Sequence, residues 1–277
     1  MWQWILYSPN PAVMKIRNIA QAADAAIKPL FYEIVFGLVM PTRISCLNFG
    51  YAPFTEGLAP HYPDPDEALQ YELYWQTFAQ LERPLDDQDV LCEISCGRGG
   101  GLAFLRSITN ARLIGLERSY SARRHARKRF GLDVRRAVAP ALPLPAQSVD
   151  VFLCVDSAHM FHTLEFVGEL VRCLKPGGVV LLADRNRGAQ DYVRKMIEKR
   201  HASAGLLPDK WRDIRSNVQQ ASYLDEARKR QLLRALPAVP WLQTKARNFM
   251  GVVGSPKQRD MESGAVSYFL MRSSKRA

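Results

Sequence analysis

The stretch "DVLCEISCGRGGG", residues 89–101, sets an apolar run directly before a cluster of four glycines. The apolar run is typical of a buried β-strand, and a helical pattern begins at Gly99. Glycines cluster where the backbone needs positive φ angles or approaches another group closely. A tight turn from strand to helix accounts for one or two of the four glycines. A loop that binds a nucleotide cofactor accounts for all of them.

Strand and helix patterns alternate after this loop. Strands are expected at 111–117, 132–138, 148–155 and 179–184, and helices at 119–130 and 164–174. Ser119 stands where it can cap the first of these helices. Because strands that alternate with helices pair through right-handed crossovers, this pattern predicts a parallel sheet and an α/β fold.

The two ends of the chain differ from this middle part. Apolar residues at helical spacing between Ile27 and Leu38 predict appended helices in the first 88 residues. Polar helical sequence follows at 215–236, and 241–252 and 265–272 are interpreted as two strands of an antiparallel edge hairpin. The expected division of the chain is a lid and cap segment at 1–88, a cofactor-binding core at 89–185, a lid insertion at 186–242 and closing strands at 243–277.

Composition and charge limit the possible functions. The 277 residues are 47% hydrophobic and 23% charged, which is typical of a globular protein with a substantial core. The net charge of +11 includes one dense run, "RRHARKR" at 123–129, which we interpret as a solvated helix face. No nucleic-acid-binding module accompanies it, so no nucleic-acid partner is expected, whereas contact with an anionic membrane surface stays open. No secretory signal is recognised and no apolar run is long enough to span a bilayer, so a cytoplasmic protein is expected, and association with a membrane surface stays open.

The five cysteines are odd in number and scattered along the chain. None has the spacing of metal ligands, so no metal site is expected, and reduced thiols packed in the core are the favoured interpretation. A thiolate nucleophile at Cys96 stays an alternative, although no histidine lies close to it in the sequence. The cysteines are Cys46, Cys92, Cys96, Cys154 and Cys173.

Two carboxylates flank the glycine loop. Glu117 ends the second predicted strand about 20 residues past the loop, where a carboxylate accepts hydrogen bonds from ribose hydroxyls. This spacing alone leaves a dehydrogenase and a methyltransferase open. Glu93 ends the first strand directly before the turn, where it repels a pyrophosphate and suits the ammonium of an amino-acid tail. The pair therefore favours a methyltransferase.

Downstream segments strengthen this interpretation. With the loop, "LPLPAQSVDVFLC" (142–154) and "LKPGGVVLLAD" (174–184) resemble the class I S-adenosylmethionine-dependent methyltransferases. "LNFGY" (47–51), "CVDSAHMF" (154–161) and "NFMGVVGS" (248–255) resemble the branch that O-methylates phthiotriol-type lipids and related polyketides. The resemblance implies a Rossmann-like sheet, mostly parallel with an antiparallel last strand, and a helical lid.

The same resemblance implies which residues bind S-adenosylmethionine. Glu93 and its loop line the methionine end of the cofactor, and Glu117 binds the ribose. The backbone of Cys154 and Val155 lies beside the reactive sulfur, and a tyrosine of the lid caps the site. The implied set is Tyr51, Glu93, Ser95, Cys96, Gly97, Glu117, Arg118, Val138, Ala139, Cys154 and Val155. Val138 departs from the pattern, since many relatives have an aspartate there that accepts from the adenine amino group. Losing that hydrogen bond costs about 1 kcal/mol, or up to about tenfold in affinity.

The segment after the fourth strand supplies candidate catalytic groups. His159 is the natural general base for a hydroxyl nucleophile, with Asp156 as the carboxylate that orients it; a histidine that only shapes the substrate wall is the alternative. Aromatic residues in the expected lid favour an apolar small-molecule acceptor, and no oligomeric state is indicated. They are Phe31, Tyr32, Phe36, Phe54, Tyr192, Trp211 and Tyr223.

The predicted function is O-methylation of a small apolar, lipid-like or polyketide metabolite with S-adenosylmethionine as methyl donor. The alternative is a protein of methyltransferase fold that does not methylate. It is either a regulatory or partner-binding pseudoenzyme or a natural-product enzyme with another reaction, and the loss of an adenine contact at Val138 leaves this open.

Overall fold

A single seven-stranded sheet organises the chain. The computed structural model describes residues 33, 40–54 and 62–276. The strands are β1 (Val90–Ile94), β2 (Arg112–Glu117), β3 (Val134–Arg136), β4 (Val149–Val155), β5 (Leu174–Arg187), β6 (Leu206–Asp213) and β7 (Val266–Lys275). Their order across the sheet is β3-β2-β1-β4-β5-β7-β6.

The strand directions confirm the predicted fold class. Strands β1 to β5 pair in parallel, and β7 runs antiparallel to both β5 and β6. Alternate residues of β4 enter two different apolar clusters, with Val151 and Leu153 on one face of the sheet and Phe152 and Cys154 on the other. Because both faces are covered, the central strands are apolar at nearly every position.

Nine α-helices in the described part of the chain surround the sheet. They are α1 (Ala68–Phe78), α2 (Gly100–Leu105), α3 (Tyr120–Phe130), α4 (Leu164–Cys173), α5 (Gln190–Ser203), α6 (Arg215–Leu224), α7 (Glu226–Arg234), α8 (Pro240–Phe249) and α9 (Pro256–Glu262). Ser119 caps α3 as predicted, since its side chain accepts a hydrogen bond from the Ala122 amide. Across residues 33, 40–54 and 62–276, no helix is both long and apolar enough to cross a bilayer.

The predicted edge hairpin is wrong in one of its two strands. Residues 241–252 were expected to be a strand, but α8 occupies most of that segment. Pro240 stands in its first turn, where a missing amide proton costs nothing, and Leu242 and Ala246, four residues apart, are its buried side chains. The partner of β7 is instead β6, which lies within the segment expected to be a lid insertion.

Strand β6 was not predicted because its sequence carries a weak strand signal. It reads "LLPDKWRD" and contains a proline and four charged residues. A proline is tolerated at the edge of a sheet, where one side of the strand needs no hydrogen-bonding partner. The pairing of β6 with β7 shifts register between Pro208 and Lys210. The division of the chain into lid and core segments stays a prediction.

A buried carboxylate joins two parts of the described N-terminal segment to each other. Glu67, fully buried, accepts hydrogen bonds from the amides of Ser45 and Cys46 at 2.9–3.0 Å. All five cysteines are buried free thiols, as predicted. The helical stripe predicted between Ile27 and Leu38, with Phe31, Tyr32 and Phe36, lies outside the described residues.

A buried pair of histidines joins the start of α4 to α5 and β7. Arg200 donates to Nδ1 of His162 at 2.9 Å, the two Nε2 atoms of His162 and His201 lie 2.9 Å apart, and Nδ1 of His201 lies 2.9 Å from the Ser273 hydroxyl. These partners assign one proton to each ring, since His162 donates to His201 and His201 donates to Ser273. Both histidines are therefore neutral. Burial lowers the pKa of His162 to about 3 and of His201 to about 4, and Arg200 adds to both shifts.

We expect this pair to make the protein sensitive to acid. The unfolded chain binds protons on both histidines near the ordinary pKa of 6.5, whereas the folded protein does not. Stability is therefore complete above pH 6.5 and falls as the pH drops toward about 4, by about 3 kcal/mol per histidine. Urea unfolding of the wild type and of a His162→Gln, His201→Gln double variant between pH 4.5 and 7.5 measures this. In the double variant, the free energy of unfolding should change much less with pH than in the wild type. The same pH dependence in both proteins would contradict the conclusion that both histidines are neutral in the folded protein.

Candidate functional site

The glycine loop after β1 opens on one side. Ser95 and Gly97 both have positive φ angles, 55° and 53°, and a β-carbon placed on Gly97 would meet only Leu47, at 3.5 Å. Ser95 adopts a conformation that is uncommon for a residue with a side chain and that is typical of functional sites. The turn therefore exposes backbone at the carboxyl end of β1, where ligands bind in an open parallel sheet.

Other glycines of the cluster serve packing. A β-carbon on Gly101 would lie 2.1 Å from the ring of Tyr74, and one on Gly100 would lie 2.5 Å from Cys46 Sγ. Helix α2 can therefore approach α1 and the 45–46 segment only because these positions lack side chains. The cluster therefore combines a turn with open space at Gly97 and a tightly packed helix start at Gly100 and Gly101, and a cofactor-binding role of the loop stays a prediction.

Glu93 is a buried carboxylate with one unsatisfied oxygen. Glu93 is the second-to-last residue of β1, and its side chain is 1% exposed. The hydroxyl of Tyr74 donates to its Oε1 at 2.7 Å, whereas Oε2 is buried without a hydrogen-bonding partner. Burial raises the pKa of Glu93 to about 8. A carboxylate that lacks a partner at this edge of the sheet suits a cationic ligand group.

Glu117 holds the loop and the start of α3 together. Its two oxygens accept hydrogen bonds from the amides of Gly97 at 3.0 Å and Ser119 at 2.7 Å. Burial raises the pKa of Glu117, and these backbone hydrogen bonds oppose the shift. The carboxylate is therefore fixed at the end of β2, beside the exposed backbone of the loop.

The basic run at 123–129 is not only a solvated face, which corrects the expectation. Arg123 is buried and donates to the backbone carbonyls of Glu117 at 2.9 Å and Arg118 at 2.5 Å. Arg127 donates to the carbonyl of Val134, and Arg129 to that of Thr42. Part of the positive charge of α3 therefore supports the β2 end and the neighbouring segments.

Asp156 connects the N-terminal segment to β7. It follows β4 with a φ of 57°, and its oxygens accept hydrogen bonds from the Phe49 amide at 2.8 Å and from the Tyr268 hydroxyl. Burial raises the pKa of Asp156, with Tyr268 opposing the shift and Asp184 adding to it. Phe49 belongs to "LNFGY", so this contact explains why that segment lies at the carboxyl end of β4.

The carboxylate that orients His159 is Asp184, not Asp156. Nδ1 of His159 lies 2.7 Å from Oδ1 of Asp184, whose other oxygen accepts from the His159 amide. Nε2 of His159 lies 3.1 Å from Nη2 of Arg185, the next residue on β5. Asp156 is used by Phe49 and Tyr268 instead, so its predicted contact with the imidazole is wrong. The arrangement makes Nδ1 the protonated nitrogen and Nε2 an acceptor.

A further cation, Lys257, lies within electrostatic range of Arg185 and Asp156 and was not predicted. Its Nζ donates to the carbonyl of Phe249 at 3.0 Å and lies 4.9 Å from the ring centroid of Phe49 and 5.3 Å from that of Phe249. Burial lowers the pKa of Lys257 to about 8, with Arg185 adding to the shift. The only sequence signal was its position two residues after the segment "NFMGVVGS" (248–255).

The other predicted cofactor residues differ in how their side chains are placed. The thiol of Cys96 packs against Gly115 in the core, and burial raises its pKa, so only its backbone can reach a ligand. Cys154 Sγ lies 3.1 Å from the Ser157 hydroxyl. Val138 is 48% exposed, with Ala139 beside it partly buried and Arg118 exposed. Tyr51 and Val155 are both buried in the core.

The aromatic residues predicted to line an acceptor site divide into several groups. Trp211 stacks on Phe269 at 4.2 Å, and the Tyr223 hydroxyl donates to Glu262. Phe54 and Tyr192 are exposed. The rings that lie next to the charged cluster are instead Phe49 and Phe249.

Comparison with known proteins identifies the family. A profile described as a methyltransferase domain matches residues 92–182. The phthiotriol/phenolphthiotriol dimycocerosates methyltransferase of Mycobacterium tuberculosis is 33% identical over 211 residues, which cover 74% of this chain and 75% of that protein. The chain belongs to the class I S-adenosylmethionine-dependent methyltransferases. Within them it belongs to the phthiotriol methyltransferase branch.

Solved structures support the methyltransferase fold. The geranyl diphosphate C-methyltransferase of Streptomyces coelicolor, solved with S-adenosylhomocysteine, aligns with a TM-score of 0.59 at 15% identity over 82% of this chain and 89% of that one. The [4+2]-cyclase SpnF aligns with a TM-score of 0.67 at 18% identity over 90% and 95%. At these identities the likeness shows the fold alone. The names of the two proteins differ in reaction, so the site has to be argued from its own residues.

The residues of this methyltransferase fit its cofactor, S-adenosylmethionine. The unpartnered oxygen of Glu93 suits the cationic methionine end, and the open backbone at Gly97 allows close approach. Glu117 has each oxygen engaged by only one amide, so it keeps lone pairs for hydroxyls. Roles for individual residues stay predictions, including the loss of an adenine contact at Val138.

We expect Gly101→Ala to damage the cofactor site. The new β-carbon would clash with the Tyr74 ring, so the hydroxyl that fixes Glu93 has to move, at a cost of about 1–3 kcal/mol in the free energy of unfolding. Affinity for S-adenosylhomocysteine by calorimetry should fall as well. Gly168→Ala is the matched control, since that glycine is exposed on α4 with open space around it, and it should add up to about 1 kcal/mol of stability. Equal behaviour of the two variants would contradict the packing role.

Proposed function

We propose that this methyltransferase transfers the methyl group to a hydroxyl oxygen of a small apolar metabolite of lipid-like or polyketide type. The observation that carries the proposal is the position of the His159 imidazole just after the carboxyl end of β4. Its Nδ1 lies 2.7 Å from Oδ1 of Asp184 on β5. A neutral imidazole oriented by a carboxylate is suited to remove a proton from a hydroxyl. A free amine attacks a methyl donor without first losing a proton, so it needs no such group, whereas a hydroxyl is a weak nucleophile until its proton is removed.

The cofactor supplies a methyl group bonded to a positively charged sulfur. Glu93, Gly97 and Glu117 are the residues that we propose to hold it, through charge at the methionine end and hydrogen bonds at the ribose. Their fixed positions align the donor with the nucleophile, and alignment is the main requirement of an in-line displacement.

His159 is proposed to accept the proton of the acceptor hydroxyl on Nε2. Nη2 of Arg185 donates a hydrogen bond to that nitrogen at 3.1 Å, so an acceptor has to displace the guanidinium. The displaced Arg185 then lies beside the acceptor oxygen, where its positive charge favours the developing negative charge. Asp184 stabilises the imidazolium that forms, because it accepts the Nδ1 proton.

Charge and packing support an apolar acceptor with a hydroxyl. Arg185 and Lys257 both lie in the cluster, and two cations disfavour an ammonium substrate. The rings of Phe49 and Phe249 supply apolar surface beside them. The relative from Mycobacterium tuberculosis is named a phthiotriol/phenolphthiotriol dimycocerosates methyltransferase, and that name favours a lipid-like acceptor. Contact with an anionic membrane surface stays a prediction.

A test of this proposal follows the methyl group. The protein is incubated with S-adenosylmethionine carrying a labelled methyl group and with 2-naphthol, 2-naphthylamine or a long-chain 1,3-diol, and products are identified by mass spectrometry. We expect label on oxygen. His159→Asn should lower turnover by about 10²–10⁴-fold without changing affinity for S-adenosylhomocysteine, and Asp184→Asn should act in the same direction.

Two outcomes would contradict the proposal. A labelled amine with no labelled ether would exclude the oxygen acceptor. An unchanged turnover in His159→Asn would make the histidine a wall residue and leave alignment as the only contribution. Cofactor binding without transfer to any hydroxyl would instead favour the alternative, a methyltransferase fold that does not methylate.

A further inference from the structure

Lys257 is a partly buried cation that lacks a charged partner. No carboxylate lies within 4.0 Å of its Nζ among residues 33, 40–54 and 62–276. Its single hydrogen bond in that part of the chain goes to the carbonyl of Phe249 at 3.0 Å. The remaining contacts of the ammonium are the faces of the Phe49 and Phe249 rings. Two of its three N–H groups therefore have no oxygen or nitrogen acceptor among the described residues.

The neighbouring Lys229 shows what a structural lysine looks like in this fold. Its Nζ donates to the carbonyl of Ser222 at 3.0 Å, to the Ser222 hydroxyl at 2.7 Å and to the carbonyl of Gly251 at 3.4 Å. All three donors are thus satisfied by the protein. Lys257 lacks such partners, and a cation that is removed from water without them is costly and marks a candidate functional group.

The Phe49 ring connects Lys257 to the proposed acceptor site. The ring contacts the ammonium, the amide of the same residue donates to Asp156, and the ring packs edge-on against Tyr268 at 6.4 Å. Gly251 fixes the ring from another side, since a β-carbon there would lie 2.5 Å from it. Lys257 is therefore held by rigid neighbours beside the carboxyl end of β4.

The charges around Lys257 show what it faces. Arg185 and Lys229 lower its pKa, Asp156 raises it, and burial is the largest cause of the shift to about 8. His159 joins the cluster through its contact with Arg185. At neutral pH the ammonium form still predominates, so the site carries a net attraction for an anionic oxygen.

We propose that Lys257 binds the acceptor oxygen as an oxyanion, so that the enzyme takes an ionisable hydroxyl, a phenol or an enol. This inference rests on the proposed O-methylation. The O–H bond of the acceptor breaks, its proton passes to Nε2 of His159, and the electron pair stays on oxygen opposite the ammonium. The oxygen then bonds the methyl carbon while the carbon–sulfur bond breaks and leaves its pair on sulfur.

The test uses 4-nitrophenol as a probe, because its phenolate absorbs visible light. The probe is titrated with pH in the presence of protein and S-adenosylhomocysteine. In the wild type we expect the pKa of the bound probe to fall by about 1–2 units, so that phenolate binds at least about tenfold more tightly than phenol. Lys257→Met should abolish this preference and Lys257→Arg should keep it. Lys195→Met, an equal charge change at an exposed site on α5, should have no effect.

Affinity for S-adenosylhomocysteine, measured for each variant, shows that fold and cofactor site are intact. Equal binding of phenol and phenolate by the wild type, binding of neither, or a preference that survives in Lys257→Met would overturn the inference. Each of these results leaves the proposed function standing if labelled ethers still form. A phenolate preference without any methyl transfer to oxygen would instead remove the proposed function.

Discussion

The buried carboxylate of Glu93 is the constraint on which the site depends. An ionised carboxylate is costly in an apolar environment, and only the Tyr74 hydroxyl compensates one of its oxygens, so without a cationic ligand the Glu93 side chain is mostly protonated at neutral pH. The environment of Glu93 depends on a specific packing contact, because the Tyr74 ring can lie beside the carboxylate only if residue 101 has no side chain. A group that is kept unsatisfied by such packing serves a ligand rather than stability.

Three further carboxylates fix the backbone of segments near Glu93. Glu67 accepts hydrogen bonds from the amides of residues 45 and 46 within the N-terminal segment, and Asp156 of the core accepts one from the amide of Phe49, a few residues further on. Glu117 binds the loop and the start of α3 in the same manner. In each case the carboxylate accepts hydrogen bonds from backbone amides. The position of that backbone then determines where the neighbouring side chains lie.

The sequence predicted the sheet well because apolar strands and amphipathic helices alternate regularly between residues 89 and 185. It placed Glu93, Glu117 and His159 correctly at the carboxyl ends of strands. It did not find Asp184, Arg185 or Lys257, since their contacts join elements far apart in the chain. Helix α8 was mistaken for a strand because aromatic and β-branched residues surround it, and β6 was missed because an exposed edge strand needs few apolar residues.

The protons exchanged on cofactor binding test the role of Glu93 most directly. Calorimetry of S-adenosylhomocysteine binding at pH 7, in buffers that differ in ionisation enthalpy, counts those protons. With a pKa of about 8 in the free protein, Glu93 should ionise opposite the ligand ammonium, so the wild type should release about one proton more than Glu93→Gln. The ligand's own amine contributes to both proteins alike. If both proteins bind the ligand and exchange equal numbers of protons, Glu93 does not ionise on binding, and the proposed role of its carboxylate is contradicted.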